Sequence, residues 1–363
     1  PGEHTVLREI VAAARWAPSG DNIQPWRFRL REPDAMRVVF DAHDPANPYE
    51  YRDGEPTWLS AGMLLEALRI AATLHGRTMH WRLVSDAAES RAVDARFEAA
   101  PALEADPLYG VLPLRTTDRR PYRRRPLLPR ERAALETALG ADLRLAWHES
   151  ARERMAFARL SALATRIRLR LPAAYDVHRR IVDWSAGDSA TGIPAGATGL
   201  WRPTLPMMRW AMRDWARMAW LNRLGGARSA ALQLDWGQAL GCAGFFTIAL
   251  PEGDSRDPSS LLRTGGRLLR FWLAATRLGL AVQPGLAMLM FAHYGAAGVR
   301  FTDDPRLLHD AARCHGRLRA LVGDDAPRLV FVGRIGEPRD APRQRSVRLD
   351  VRELLLPDDP PAR

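Results

Sequence analysis

The chain has 363 residues, 47% of them hydrophobic, which is enough for one large folded domain or two of ordinary size. This composition excludes a disordered protein, and no apolar run reaches the length that crosses a bilayer. The formal net charge is +11, and all 53 basic residues are arginine because the sequence contains no lysine. The arginines are scattered among acids and no nucleic-acid-binding module is recognisable, so we expect no nucleic-acid partner.

Two features of this composition bear on chemistry. Any anion-binding role here must use guanidinium, which grips phosphate with two hydrogen bonds and stays charged. Cys242 and Cys314 are too few and too unpatterned for a disulfide framework or a zinc site, so we expect no metal and a cytoplasmic location. Cys242 lies in an apolar stretch, which predicts an inert, packed thiol.

The first third of the chain predicts a series of alternating elements. Apolar spacing and strand-like alternation give, in order, a helix over about 5–17, a strand over about 26–40, an acidic and aromatic loop over 41–53, an apolar helix over about 57–75, a strand over 78–84 and a Pro-punctuated connector over 86–114.

A polar corner separates the first helix from the first strand. Pro18 stops the helix, and the residues from Ser19 to Asn22, including Gly20, favour a turn that frees backbone donors. Asn22 and Gln24 each carry an amide that donates and accepts, which suits the polar edge of a flat heterocycle. An ordinary turn before an edge strand is the alternative interpretation.

A new unit begins near residue 114. Arg115, Thr117 and Arg119 alternate, so in an extended segment their side chains point the same way. Arg343 and Arg345 repeat that spacing near the end of the chain. The elements predicted between these two basic segments are helices over 130–139, 160–173 and 261–280 and a buried strand over 328–334.

Four segments together carry a family resemblance. The corner reads PSxxNxQPW and resembles the corresponding segment of the nitroreductase-like FMN flavoproteins. The segment 115–119 resembles the R-x-S/T-x-R element that precedes the first helix of that fold. Residues 278–284 resemble the segment after the family's central helix, and the tail from 342 to 348 resembles its C-terminal basic phosphate clamp.

The resemblance implies an α+β fold with antiparallel-rich sheets flanked by helices. Family members are homodimers with flavin at the subunit interface, so this chain would hold two diverged copies that form a pseudo-dimer. The copies would span 1–113 and 114–363, with a helical insert at about 150–235. Further oligomerisation stays open.

The resemblance also implies a cofactor, FMN, and a set of residues that bind it. Arg115, Thr117, Arg343 and Arg345 would serve the phosphate or the ring edge, with Arg119 nearby. The full set of expected cofactor-binding residues is Pro18, Ser19, Gly20, Asn22, Gln24, Arg115, Thr117, Arg119, Gln283, Pro284, Arg343 and Arg345. The corner belongs to one copy and the arginines to the other, and no mirror set exists, which predicts one FMN per chain.

The expected function is that of an FMN-dependent oxidoreductase. It would pass two electrons from reduced flavin to a small conjugated acceptor, with NADH or NADPH as the electron donor and no catalytic side chain beyond the flavin itself. Two alternatives remain: a protein that binds or sequesters FMN with little reductase activity, and a flavin-cleaving enzyme of the same fold.

Three further segments have weaker signals. Arg209, Arg213 and Arg217 step by four on a predicted Met- and Trp-rich helix, which suits a lid or subunit contact better than a membrane-surface helix. The loop over 183–194 suits either a substrate-side loop or a plain surface loop. His293 could donate a proton, although a core histidine with a satisfied ring is the favoured interpretation.

Overall fold

The computed structural model of the protein describes residues 4–41, 44–84, 91–185 and 187–357. Its first elements are α1 (Thr5–Ala14), β1 (Trp26–Glu32), β2 (Ala35–Phe40), α2 (Tyr51–Thr73), β3 (Arg77–Leu83) and β4 (Ala92–Ala99). The four strands form one antiparallel sheet in the order β1-β2-β4-β3, which we call the N-terminal sheet. Alternate residues such as Phe28, Val38 and Phe97 are fully buried, because one face of this sheet packs on the core.

The rest of the chain contains more helix. Its elements are α3 (Pro129–Leu139), β5 (Arg144–His148), α4 (Ala151–Arg170), α5 (Pro172–Ile181), β6 (Val182–Asp183), β7 (Ile193–Pro194), α6 (Leu205–Ala211), α7 (Trp215–Arg223), α8 (Gly226–Ala231), α9 (Gly237–Leu240), β8 (Gly244–Ala249), α10 (Pro258–Arg277), β9 (Ala281–Pro284), α11 (Leu286–Ala297), α12 (Pro305–Val322), β10 (Leu329–Gly336) and α13 (Val351–Leu354). A π-helical turn, Leu232–Trp236, joins α8 to α9.

The second large sheet repeats the order of the first. Its strands run β5-β8-β10-β9, and all neighbours are antiparallel, so both sheets have the order first-second-fourth-third. In both, a long buried helix connects the second strand to the third: α2 in the N-terminal sheet and α10 in this C-terminal sheet. The predicted α+β class with antiparallel sheets and flanking helices is confirmed.

The two long helices pack directly against each other, because glycine removes the side chain where they cross. A Cβ at Gly62 would overlap the main-chain carbonyl of Leu262, and one at Gly265 would overlap that of Leu59. The same added Cβ at Gly265 would lie 2.9 Å from the Cα of Gly62. Gly265 is therefore a helix-packing residue.

The chain's end also joins the two sheets. Leu355 forms a parallel bridge to Phe28 at the edge of the N-terminal sheet, and the Leu356 N–H donates to the Phe28 carbonyl at 2.8 Å. A segment that follows the last strand of the C-terminal sheet therefore completes the edge of the other sheet.

Several predicted boundaries were wrong. The single strand over 26–40 is a hairpin, because Pro33 and Asp34 form a turn between β1 and β2. The connector over 86–114 contains β4, whose alternating pattern was missed; its residues 86–90 lie outside the described part. The α2 segment starts at Tyr51, but Arg52, Asp53 and Gly54 have left-handed φ angles, so its regular helix begins after Gly54, close to the predicted start at 57, and it ends at Thr73.

The basic stripe predicted for the insert does not lie on one helix. The helix ends at Ala211 and a new one begins at Trp215, because the Asp214 carboxylate caps α7 by accepting from the Arg217 N–H. Arg213 lies between the two helices. Within the described residues no helix is both long enough and apolar enough to cross a membrane.

Candidate functional site

The polar corner has an unusual backbone. Asp21, Asn22 and Gln24 have φ angles of 51°, 61° and 50°, a left-handed conformation that is costly for residues other than glycine. The Ser19 hydroxyl accepts from the Gln24 N–H at 3.0 Å, which closes the turn. Tertiary contacts must hold the rest of the conformation, because local preference opposes it.

Those contacts come from two distant segments. Asn22 Nδ2 donates to the carbonyls of Ala190 and Val347 at 3.1 and 3.0 Å. Gln24 Nε2 donates to Ala190 at 2.8 Å, while its Oε1 accepts from the Leu349 N–H at 2.9 Å. Asn22 Oδ1 is buried without a hydrogen-bond partner in the described structure. The corner therefore keeps one enclosed acceptor available.

Three buried or half-buried arginines lie beside this corner and surround Trp16. Arg115 Nη2 donates to the Trp16 carbonyl at 3.5 Å, and Arg348 Nε donates to the Ala17 carbonyl at 3.1 Å. Arg345 Nη2 donates to the Pro113 carbonyl at 2.5 Å, and its guanidinium lies 5.0 Å from the centroid of the Trp16 ring. We call Arg115, Arg345 and Arg348 the arginine cluster.

The arginine cluster lacks an acidic partner. Within the described residues, no carboxylate lies within ion-pair distance of these three guanidiniums; Asp188 bonds only to the Arg345 main-chain N–H. Burial, together with the charges of Arg348 and Arg345, lowers the pKa of Arg115 well below its usual range. Burial and Arg345 likewise lower the pKa of Arg348 to about 10. Repulsion between these buried guanidiniums favours a bound anion, because an anion would neutralise their charge.

Spare donors point to the same conclusion. The Nε atoms of Arg115 and Arg345 are buried and have no hydrogen-bond partner in the described structure. Arg115 also stacks over Trp272, with its guanidinium carbon 4.7 Å from the ring centroid, which fixes its orientation. Oriented guanidiniums with free N–H groups are the donors that a phosphate ester accepts from.

A second polar cluster adjoins the other side of the corner. It comprises Asp21, Tyr49, Arg119, Arg168 and His178, contributed by the corner, the loop before α2, the segment before α3, α4 and α5. The Tyr49 hydroxyl and His178 Nε2 are 2.8 Å apart. Burial, reinforced by Arg168, lowers the pKa of His178 to about 3, so its ring is neutral near pH 7 and can accept a hydrogen bond from the Tyr49 hydroxyl.

Charges in this second cluster partly compensate each other. Burial raises the pKa of Asp21 although Arg119 and Arg168 oppose that shift. Burial also lowers the pKa of Arg119, which donates to the Ala197 carbonyl at 3.3 Å. Arg119 therefore lies near Asp21 and contacts the insert, whereas Arg115 contacts Trp16.

The structure distributes the remaining expected residues as follows. Pro18 is buried and Gly20 is exposed, both at the corner. Thr117 is half-buried and bridges to Val282 in β9. Gln283 accepts from Arg334 Nε at 2.6 Å, and Pro284 pairs with Gly333 in the sheet, so these two residues support the strand next to the site.

Arg343 lies apart from the arginine cluster. Its side chain is exposed and makes none of the contacts of the arginine cluster, whereas Arg348, which was not predicted, is buried and does. Strict alternation from 343 and 345 leads to 347, but Val347 and Leu349 bond to the corner through their main chains and Arg348 turns inward. The run of three arginines in R-Q-R-S-V-R was the available signal.

Three other interpretations of the sequence concern Cys242, His293 and the loop over 183–194. Cys242 is buried, its Sγ bonds to the Ala239 carbonyl, and burial raises the pKa of its thiol to about 11, as expected for a packed thiol. His293 is half-buried and its Nδ1 accepts from Arg52 Nε at 3.2 Å, a contact that agrees with a structural role for this ring nitrogen. The loop over 183–194 supplies the Ala190 carbonyl to the corner; its residue 186 lies outside the described residues.

Two surface grooves lie away from this region. One, of about 600 Å3, runs along α2 and α10, where Glu66 already pairs with Arg69 and Arg270. The other, of about 540 Å3, lies at 123–125, where Arg125 pairs with Glu131 and Glu337. In both grooves several arginines are already paired with carboxylates, whereas the arginines of the arginine cluster have no such partner among the described residues.

Comparisons with known proteins give only a loose likeness. No protein-family model and no curated protein matches the chain. Among solved structures, the FMN-dependent nitroreductase NfnB from Mycobacterium smegmatis, in complex with NADPH, is 17% identical, with a TM-score of 0.34 over 67% of this chain and 94% of that one. The FMN and NADPH-dependent nitroreductase NfnB from Sphigopyxis sp. strain HMH is 18% identical, with a TM-score of 0.34 over 68% of this chain and 96% of that one. At these values the likeness transfers no activity.

Proposed function

We propose that this protein is a flavoprotein oxidoreductase that binds one FMN per chain, with the phosphate on the arginine cluster. The observation that carries the proposal is the set of three guanidiniums, Arg115, Arg345 and Arg348, enclosed around Trp16 without a carboxylate in ion-pair range among the described residues. Buried charges of one sign are tolerated where a ligand of the opposite sign completes the site.

The residues present fit the chemical groups of FMN. The dianionic phosphate needs charged donors, and the buried Nε groups of Arg115 and Arg345 are available to it. The isoalloxazine ring offers an N–H donor, and the enclosed Asn22 Oδ1 is an acceptor without a partner. Bound FMN supplies two-electron transfer, while the chain's own residues bind the cofactor, orient it and exclude water.

A flavin-storing role is the second candidate. The loop that contains Ala190 packs on the amides of both Asn22 and Gln24, so it covers the corner from the side of the insert. A covered flavin would be retained but would meet small acceptors slowly. NADH and NADPH are the proposed electron donors for the reductase role.

We also infer that the chain consists of two diverged copies of one unit, as the sequence suggested. Support comes from the shared strand order, from the equivalent positions of α2 and α10, and from the glycine contact between those helices. The corner residue Asn22 comes from the first unit, and the arginine cluster from the second. One site would therefore require both units.

The test is the flavin content and redox behaviour of the purified protein. We expect FMN, and no more than one equivalent per chain, released by acid and measured against protein absorbance. Anaerobic addition of NADH or NADPH should bleach the bound flavin if the protein is a reductase and leave it oxidised if it stores flavin. Two equivalents per chain, FAD in place of FMN, or no flavin binding on reconstitution would contradict the proposal.

A further inference from the structure

Exposed apolar side chains concentrate in one short part of the insert. Among the described residues, 13 large hydrophobic side chains are exposed, and six of them lie between positions 201 and 232. These six are Trp201, Met207, Trp210, Trp220, Leu224 and Leu232. The others are spread along the chain, which is normal for a folded protein, whereas a concentration of this kind marks an interaction surface.

Specific contacts hold the aromatic members of this set in place. The rings of Trp210 and Trp220 meet edge to face with centroids 5.8 Å apart, and the Arg217 guanidinium lies 5.4 Å from the centroid of Trp210. The main-chain N–H of Trp201 donates to Gln233 Oε1 at 3.2 Å, which places Trp201 beside the turn that contains Leu232. Trp210 and Trp220 therefore form an ordered contact between α6 and α7, and Trp201 lies beside the π-helical turn.

The same segment is strongly basic. Six arginines and a single acid, Asp214, occur between 201 and 234, and Asp214 already pairs with Arg217 at 2.9 Å. Five of the six arginines are exposed. We call the six exposed apolar residues and these arginines the tryptophan–arginine face.

We propose that the tryptophan–arginine face binds the surface of an anionic lipid membrane. Tryptophan prefers the zone between headgroups and acyl chains, and arginine is attracted to anionic lipids there. Leu224 and Leu232, 67% and 61% exposed, need an apolar medium that the acyl chains provide. Because none of the described helices can span a bilayer, the contact is with the membrane surface.

Charge separates this partner from two others. A symmetric contact with a second copy would bring the same arginine-rich face against itself, and like charges would oppose it. A nucleic acid would satisfy the arginines and stack on tryptophan, but it offers no apolar medium for Leu224 and Leu232. An anionic membrane offers negative charge to the arginines and an apolar medium to the exposed hydrophobic side chains. The proposal does not depend on the flavin site.

The experiment uses the full chain and lipid vesicles in a sedimentation assay. We expect binding to phosphatidylcholine vesicles that contain about a third phosphatidylglycerol, weak binding to pure phosphatidylcholine, and loss of binding as ionic strength rises from about 0.05 to 0.5 M. The double variant Trp220→Ser, Leu224→Ser should bind about ten-fold more weakly or worse. Leu74→Ser is the matched control, because Leu74 is also an exposed leucine but lies far from the insert in the sequence.

A second variant protects the test against misfolding. Arg209→Glu with Arg223→Glu changes only exposed side chains and should abolish binding to the anionic vesicles while the thermal unfolding midpoint stays unchanged. Equal binding to both kinds of vesicle, or wild-type binding by either variant, would overturn the proposal. Self-association without lipid that these substitutions remove would also overturn it, because the face would then bind a second copy. Oligonucleotide binding in place of vesicle binding, removed by the same substitutions, would show that the face binds a nucleic acid.

Discussion

At the scale of single residues, Arg115 has a buried charge that lowers the stability of the fold but suits the binding of an anion. Its buried charge lies near Arg345 and Arg348, and among the described residues it is compensated only by one long hydrogen bond to Trp16 and by stacking on Trp272. The environment therefore destabilises the charged side chain unless an anion is present. This is the expected electrostatics of a residue kept for a ligand and not for the fold.

We predict opposite effects of Arg115→Met on binding and on stability. Methionine keeps the length of the side chain but removes the charge, so FMN affinity should fall by about ten- to a hundred-fold, the value of one charge-assisted contact. The flavin-free variant should unfold at a higher denaturant concentration than the wild type because one repulsive charge is gone. Flavin titration and urea unfolding measure both quantities.

Arg343→Met is the matched control for that experiment. Its side chain is exposed and lies outside the cluster, so both affinity and stability should stay close to the wild-type values. If Arg115→Met kept full flavin affinity, the phosphate would lie elsewhere.

His178 allows a prediction about pH. Its pKa is about 3 in the folded protein and near 6.5 when exposed, so between these values the unfolded chain binds more protons. The free energy of unfolding should therefore fall as pH is lowered from about 7 to 4, with a contribution from this residue of about 2–3 kcal/mol. Urea unfolding at several pH values measures it.

Two variants separate this effect from other titrating groups. His178→Gln keeps an acceptor for the Tyr49 hydroxyl but cannot titrate, so it should flatten the pH dependence. Tyr49→Phe removes the hydrogen bond but keeps the histidine, so the slope should stay. An unchanged slope in His178→Gln would mean that its ring is protonated in the folded state.

At the scale of elements, the contact between α2 and α10 decides how the two large sheets fit together. Gly62 and Gly265 face each other, and a Cβ on either would overlap a main-chain carbonyl of the opposite helix. A carbonyl cannot move aside as a flexible side chain can, so the helices themselves must shift. The crossing therefore depends on glycine at both positions.

We predict that Gly62→Ala and Gly265→Ala each lower the free energy of unfolding by about 1–3 kcal/mol, the usual cost of overpacking. Gly316→Ala, in the middle of α12 with open space around its Cα, should instead raise it by up to about 1 kcal/mol, since alanine favours helix. Denaturant unfolding of the three variants tests the contrast. Equal effects at all three positions would show that helix propensity alone matters.

At the scale of the whole molecule, the two sheets depend on each other. The tail from 349 to 356 bonds to Arg15, Gln24 and Phe28, and α10 covers the buried face of α2. The N-terminal sheet therefore lacks an edge and a helical layer when the rest of the chain is absent. Its apolar surface would be left in water.

We expect residues 1–113 alone to show no cooperative unfolding transition, and the full chain to show a single one. The two cysteines lie only in the second part and are both buried, so thiol labelling reports its unfolding while circular dichroism reports the entire chain. The two signals should change at the same denaturant concentration. Two separated transitions would show that the halves fold independently.

Much of this protein was determined by local sequence. Periodicity identified α2, α10 and β10 because their apolar residues recur at the spacing of one buried face. Residue chemistry identified the corner, Arg115 and Arg345, since amides and guanidiniums that alternate with turn formers are typical of ligand binding. Ser19 also has the local role, turn closure, that its chemistry favours, whereas α1 ends at Ala14, well before Pro18.

Only the tertiary structure decided which charges meet. It buried Arg348 and left Arg343 exposed, because main-chain bonds from Val347 and Leu349 to the corner fix how the tail turns. It brought Arg119 near Asp21, and it joined Tyr49 to His178 across 129 positions. Such pairings depend on how distant segments pack, and sequence spacing has no information about distances that the fold creates.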